Sequence, residues 1–151
     1  MPSPHKLLIL YTGGTIGMQQ SAAGLVPAGG VEARLRAEQQ AHPERPVPHW
    51  LFRELSPLLD SANMTPRHWL AMRTAIIEAV EEEGCDAVLL LLQGPDCSGK
   101  DGVIRKVINA FDPQGLSIHG FQKPSAEERG EPFLQRYRRC LPAPGLLGVF
   151  N

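Results

Sequence analysis

Two stretches of this chain carry residue types that can do chemistry. The first is Thr12-Gly13-Gly14-Thr15-Ile16-Gly17, two hydroxyls set among glycines. A hydroxyl beside closely approaching backbone offers a nucleophile, and neighbouring amides can hold an oxyanion. A bland Gly-rich turn has the same look. The second is Gly94-Pro95-Asp96-Cys97-Ser98-Gly99-Lys100-Asp101, which fits the first seven positions of the phosphate-binding pattern GxxxxGK[ST]. Glycines there let amides converge on phosphate, a following helix adds partial positive charge at its N-terminus, and Lys100 adds a full one. Gly94, Cys97, Ser98, Gly99, Lys100 and Asp101 are therefore the expected phosphate-binding residues. Asp101 stands where a Ser or Thr hydroxyl usually meets magnesium.

Both stretches need a strand before them. Leu7 to Tyr11 is wholly apolar, as a buried parallel strand is, and it feeds the first one. Asp86 to Gln93 is the strongest strand in the chain and feeds the second. Val103, Ile104, Val107, Ile108 and Phe111 then mark one face of a helix that Asp112-Pro113 stops. Residues 17–31 have no period and read as a mobile loop. Val31 to Gln40 reads as a short helix and Trp50 to Leu55 as a strand. Thr65-Pro66 opens a helix by N-cap and first-position proline, and Gly84 ends it. Trp69, Met72, Arg73, Ile76 and Val80 follow at helical spacing, with Leu70 and Ile77 beside them. Leu116 to Phe121 reads as a strand, Ser125 to about Arg139 as a helix, and Gly148 to Asn151 as a last strand. Alternation of this kind predicts an α/β fold, a three-layer sandwich with a mostly parallel central sheet, over a single domain 1–151.

Two resemblances add to this reading. Thr12-Gly13-Gly14-Thr15-Ile16-Gly17, together with Asp60-Ser61-Ala62-Asn63-Met64-Thr65-Pro66 and Trp69, resembles the bacterial type I L-asparaginases, over a piece 1–88. The resemblance implies Thr12 as the nucleophile on a side-chain amide. It implies Thr15, Ser61, Ala62 and Asn63 around the substrate, L-asparagine, with the 17–31 loop as lid. That family has HGTDT after its next strand, where this chain reads Gln93-Gly94-Pro95-Asp96-Cys97, so Pro95 replaces a hydroxyl that helps activate the nucleophile. The family's later lysine has no counterpart, and Leu25 stands where many relatives carry a lid tyrosine.

The stretch LLLQGPDCSGKDGVIRKVINAFDPQG, followed by PSAEER and FLQRYRRCLPAPGLLGVFN, resembles the N-terminal third of the polyphosphate kinase 2 family, over a piece 88–151. This implies phosphoryl transfer between polyphosphate and nucleotides with Mg. Asp96 would hold the metal or orient the acceptor, and Lys100 would grip phosphate as a catalytic residue. The family's second acidic motif and arginine-bearing lid have no counterpart before Asn151. Both parent folds are thus expected to be truncated and both active sites incomplete. The leading expectation is a chimeric or truncated, phosphotransferase-like chain that binds polyphosphate or nucleotide with little turnover. The alternatives are a weak asparaginase using Thr12, and an inactive fragment with no ligand.

The bulk properties fit a soluble cytoplasmic protein. The formal net charge of -1 gives no global drive toward nucleic acid. The longest apolar run, Ala87 to Leu92, is too short for a bilayer, and MPSPHK lacks a signal-peptide pattern, so no membrane partner is expected. Three cysteines, Cys85, Cys97 and Cys140, form no CxxC pair and read as reduced thiols. The five histidines show no ligand spacing and read as surface or satisfied side chains. Glu81-Glu82-Glu83 reads as a solvated helix end. Arg136, Arg138 and Arg139 read as covering a helix face, or else as an anion patch. Leu146, Leu147, Val149 and Phe150 are expected to leave apolar surface on an unpaired terminal strand, and with it a tendency to self-association.

Overall fold

The structure, a computed structural model, describes residues 5–13, 18–22, 24–27, 30–45, 47–58, 64–92, 102, 104, 105, 113–131 and 134–150. Its centre is a five-stranded sheet of β1 (Lys6–Tyr11), β4 (His49–Glu54), β5 (Ala87–Leu91), β6 (Leu116–His119) and β7 (Leu147–Phe150). The spatial order is β4-β1-β5-β7-β6, and every pairing in it is parallel. The helices between these strands are α1 (Val31–Ala41) and α2 (Pro66–Glu81), and a short helix covers Gln135–Arg138. Residues 102, 104 and 105 are helical as well.

The aliphatic runs explain why β1 and β5 lie inside. Successive side chains of a strand face opposite sides, so a strand covered on both sides must be apolar throughout. Leu8, Leu10, Val88, Leu90 and Leu92 pack on one face, against Met72, Ile76 and Ala79 of α2, with Ile104 and Leu116 at the margin. Leu7, Ile9, Ala87 and Leu89 pack on the other, with Leu35 of α1 and with Phe121, Tyr137, Cys140 and Leu141. This is the three-layer α/β arrangement that the alternation of elements predicts. Each core draws on residues from before and after the central strand β5.

α2 begins and ends as its sequence signals require. Pro66 is its first residue, and the Thr65 N–H donates to Nδ1 of His68 at 3.0 Å, a histidine version of the capping box. Gly84, at φ 65°, follows its end. The buried stripe is narrower than the spacing suggested. Ala79 is buried, whereas Arg73 is exposed and Leu70, Ile77 and Val80 are 61%, 39% and 46% exposed.

Three expectations are corrected. The stretch read as a loop over 17–31 contains an antiparallel hairpin, β2 (Met18–Ser21) paired with β3 (Gly24–Pro27). Its closing pair is Ser21 with Gly24, which leaves a two-residue turn. Strands of four residues are too short to establish a period. The helix expected from Ser125 to Arg139 is broken. Ser125 does cap a turn: its N–H donates to Glu128 at 2.9 Å, and its hydroxyl accepts from the Glu128 N–H at 3.2 Å. Only the 3-10 turn Glu128–Gly130 follows, however, and Glu131 is extended at φ -93°, ψ 154°. Pro132 excludes the helical conformation at the residue before it, and Gly130 is a poor helix former. Third, β7 is not an unpaired edge. It lies between β5 and β6, and Leu147, Val149 and Phe150 are buried.

The start of β5 is the joint of the fold. The Asp86 N–H donates to the Lys6 carbonyl at 3.0 Å, and the Asp86 carbonyl accepts from Gly145 N–H at 2.6 Å. Oδ1 of Asp86 accepts from the Lys6 N–H at 2.9 Å and from Nδ1 of His5 at 2.5 Å. Nε2 of His5 lies 3.3 Å from the Pro142 carbonyl oxygen, and Nζ of Lys6 donates to the Glu83 carbonyl at 2.7 Å. Partial burial pushes the Asp86 carboxyl up, but the hydrogen bonds from His5 and Lys6 outweigh it and hold the group below the usual carboxylate range. Gly145, at φ 82°, sits in a tight turn closed by the Leu146 N–H on the Ala143 carbonyl at 3.0 Å. That turn has Pro144 and Gly145 at its centre, the residues a type II turn selects.

Candidate functional site at the carboxyl edge of the sheet

In a sheet of parallel strands all carboxyl ends lie on one edge. The connection from β1 leads to β4 on one side, and the connection from β5 leads toward β6 on the other. A crevice opens outside the strand ends where the direction reverses, and open α/β sheets bind ligands there. Here the reversal falls between β1 and β5. The first chemical stretch follows β1 and the second follows β5, the two strands on either side of that reversal.

Thr12 is the candidate residue at this edge that the structure describes. It is 1% exposed, and its Oγ1 donates to the Leu91 carbonyl at 3.0 Å. The bond ties the exit of β1 to the exit of β5 one residue past their last pair, Tyr11 with Leu91. Gly13 follows at φ 114°, a backbone angle that side-chain-bearing residues avoid. A nucleophile must meet substrate and pass its proton to a base. In this arrangement the hydroxyl proton is directed at a sheet carbonyl.

The other candidates, Thr15, Ser61, Ala62, Asn63, Gly94, Asp96, Cys97, Ser98, Gly99, Lys100 and Asp101, lie outside the described residues. The elements on either side of them are described. The stretch 93–101 joins β5 to residues that are helical at 102, 104 and 105, and Ile104 reaches the core beside α2. Thr65, two residues after the 61–63 stretch, caps α2. Among the described residues no group of three or more His, Cys, Asp and Glu side chains is placed to hold a metal ion. Asp96, the expected metal residue, lies outside them.

Two groups near this edge carried no signal in the sequence. His119, at the end of β6, shares a 2.8 Å hydrogen bond between its Nε2 and Oγ of Ser117. Its ring lies against Phe150, with centroids 6.1 Å apart. Phe121 stacks near Tyr137 and Phe150, with centroids 4.7 and 4.8 Å away. Alternation along a four-residue strand could have put Ser117 and His119 on one face, but nothing marked that face as special. Two of the arginines at 136, 138 and 139 have partners close by in sequence. Arg136 donates to the Gln122 carbonyl at 3.1 Å and lies 5.2 Å from the Phe121 ring centre, and Arg139 pairs with Glu131 at 2.7 Å.

Comparison with known proteins places the two parts of the chain in families. The model described as "Asparaginase, N-terminal" matches residues 6–97, and the model of polyphosphate kinase 2 matches residues 64–151. The matches overlap over 64–97, the unit of α2, β5 and the start of the second chemical stretch. An ADP-polyphosphate phosphotransferase of Rhodopseudomonas palustris is 51% identical over 65 residues, 43% of this chain and 22% of that protein. L-asparaginase 1 of Escherichia coli K12 is 40% identical over 64 residues, 42% of this chain and 19% of that protein. The crystal structure of L-asparaginase I from Vibrio cholerae superposes with a TM-score of 0.59 at 29% identity, over 78% of this chain and 34% of that one. That is more of the chain than residues 6–97 make up, so part of the C-terminal piece occupies places in the same layout. The chain spans about a fifth of the curated relatives' length, at 22% and 19%. On these matches the chain belongs to the N-terminal asparaginase family over residues 6–97 and to the polyphosphate kinase 2 family over residues 64–151.

Proposed function

We propose that the crevice between the carboxyl ends of β1 and β5 binds a phosphate-rich anion, polyphosphate or a nucleoside phosphate, through the loop Gly94 to Asp101. The observation that carries this reading is the passage from the buried strand β5 to helical residues at 102, 104 and 105, with GPDCSGKD between them. A strand, a glycine-bearing loop and a helix in that order aim backbone amides at one point, and Lys100 adds the charge. The polyphosphate kinase 2 model, matched over 64–151, covers this region, and the 51% identity to an ADP-polyphosphate phosphotransferase over 65 residues supports the choice of ligand. Asp96 is the residue to hold Mg, which bridges phosphate oxygens when bound. Turnover is proposed to be slight, because phosphoryl transfer depends on several positioned cations and the stretch supplies one lysine.

Amide hydrolysis is the second reading, and Thr12 at the carboxyl edge is the observation in its favour. The hydroxyl's hydrogen bond to Leu91 and the proline at position 95 argue against a competent nucleophile. Calorimetry separates the readings. Titration with tripolyphosphate or ATP in the presence of magnesium is expected to give heats that Lys100→Ala weakens at least about tenfold, the loss of one well-placed charge contact. Equal heats in the two proteins would remove the loop from the argument. Ammonia release from L-asparagine, abolished by Thr12→Ala, would establish the second reading instead.

A further inference from the structure

Among the described residues, three of the large hydrophobic side chains that are exposed lie on α2. Leu70, Ile77 and Val80 are 61%, 39% and 46% exposed, while Met72, Ile76 and Ala79 on the opposite face are buried. Large aliphatic side chains grouped along one helix face mark a contact surface more often than solitary ones do. The charges around them are arranged by position. Arg67 precedes the stripe and Glu81 and Glu82 follow it, all exposed. Among the described residues no ion pair reaches any of these three. Arg53 takes Glu78 and Glu83 instead.

The geometry points to a second copy of this chain as the occupant, docked α2 to α2 in antiparallel fashion across a two-fold axis. Such an axis near Thr74 makes the pattern self-complementary. Arg67 and Glu81 lie seven residues either side of Thr74, and Leu70 and Ile77 lie four and three. At 100° per residue, Arg67 and Glu81 fall on the same flank of the Leu70–Ile77 line. A two-fold axis perpendicular to antiparallel helices sets each flank against the same flank of the partner. Leu70 then meets the partner's Ile77, and Arg67 meets the partner's Glu81, each contact occurring twice, as an isologous interface requires. A macromolecule of other chemistry would have to match both the stripe and the opposed charges at its ends, whereas a second copy matches them by symmetry. Arg73, on the other flank and next to the axis, comes close to its own copy. One helix per partner buries less than the roughly 800 Å² a side of a standard interface, so the dimer is weak and reversible.

Sedimentation velocity of the full chain from about 10 µM to about 1 mM covers the range in which such a dimer forms. The wild type is expected to shift from monomer toward dimer as concentration rises. Leu70→Glu with Ile77→Glu should leave monomer throughout. Arg67→Glu should weaken association about tenfold, because two attractions become two repulsions, and Arg67→Glu with Glu81→Arg should restore it. Arg73→Gln, which removes the like-charge encounter, should tighten it. All these sites are exposed, and an unchanged thermal transition confirms that each variant folds. A wild type that stays monomeric at every concentration would overturn the proposal. So would association untouched by the double glutamate variant, or a charge exchange that fails to restore it.

Discussion

The two edges of the sheet are built differently. At the amino edge, Asp86 uses its N–H, its carbonyl and its carboxylate to hold Lys6, His5 and Gly145, and so joins the start of β1 to the turn before β7. At the carboxyl edge, the side-chain tie between β1 and β5 among the described residues is one hydroxyl, Thr12 on Leu91. The amino edge spans the two family matches, since Lys6 lies in one and Gly145 in the other. The difference teaches where each task is placed. Register and joining are settled at one end of β5, the end away from the loop proposed to bind phosphate.

The sharpest way to break this division is to cut between the edges. Leu90, the fourth of the five residues of β5, is fully buried, and its side chain packs with residues from both halves of the chain. Leu90→Ala should lose about 3 kcal/mol, within the range for leucine truncation in a close-packed core. It should also weaken both edges together, as one cooperative urea transition at a lower midpoint. Two separate transitions would show that the halves do not share a core.

A smaller loss is expected at the amino edge. Asp86→Ala removes the acceptor of two hydrogen bonds and leaves the Lys6 N–H to water. Charge-assisted bonds of this kind contribute about 1.5–3 kcal/mol, and the exposure of the Asp86 side chain, 41%, brings the expected loss to about 1 kcal/mol. Binding of tripolyphosphate should not change. If it does, the edges are coupled and the division fails.

The contrast between the edges also marks what the sequence made legible. Aliphatic runs identified β1 and β5, and the capping signals placed α2, because burial on both faces and N-terminal capping each leave a local trace. The position of β7 between β5 and β6 left none. Its four residues read as an open terminal strand, because which neighbours a strand takes is settled by tertiary packing. The Ser125 cap was legible but the length of its helix was not, since Pro132 acts on the residue before it. The candidate site was legible as chemistry, in two glycine-bearing stretches. That both follow neighbouring strands, β1 and β5, came only from the strand order.

Acid should erode the amino edge selectively. The Asp86 carboxyl is held below the usual range in the folded chain, so its contribution is complete above the unfolded value of about 3.9 and is lost as pH falls through the folded one. The urea midpoint of the wild type should therefore exceed that of Asp86→Asn at pH 7, and the gap should close below about pH 4. Equal midpoints at pH 7 would mean that the carboxylate charge contributes nothing and that the backbone bonds alone join the edge.

The smallest effect belongs to the carboxyl edge, and it separates a structural hydroxyl from a chemical one. Thr12→Ser keeps an Oγ that can donate to the Leu91 carbonyl and loses one methyl group from a buried site. Thr12→Val keeps the shape and loses the donor, which leaves the Leu91 carbonyl without that partner. The valine variant should lose about 1 kcal/mol, the net worth of a buried hydrogen bond. The serine variant should lose less than about 1 kcal/mol, the value of one buried methyl group. Neither should alter the heats of tripolyphosphate binding if Thr12 works only as the tie between β1 and β5. If valine instead abolishes an activity that serine retains, with equal stability in both, the hydroxyl reaches a ligand. The carboxyl edge would then owe its chemistry to β1 as well as to the loop after β5.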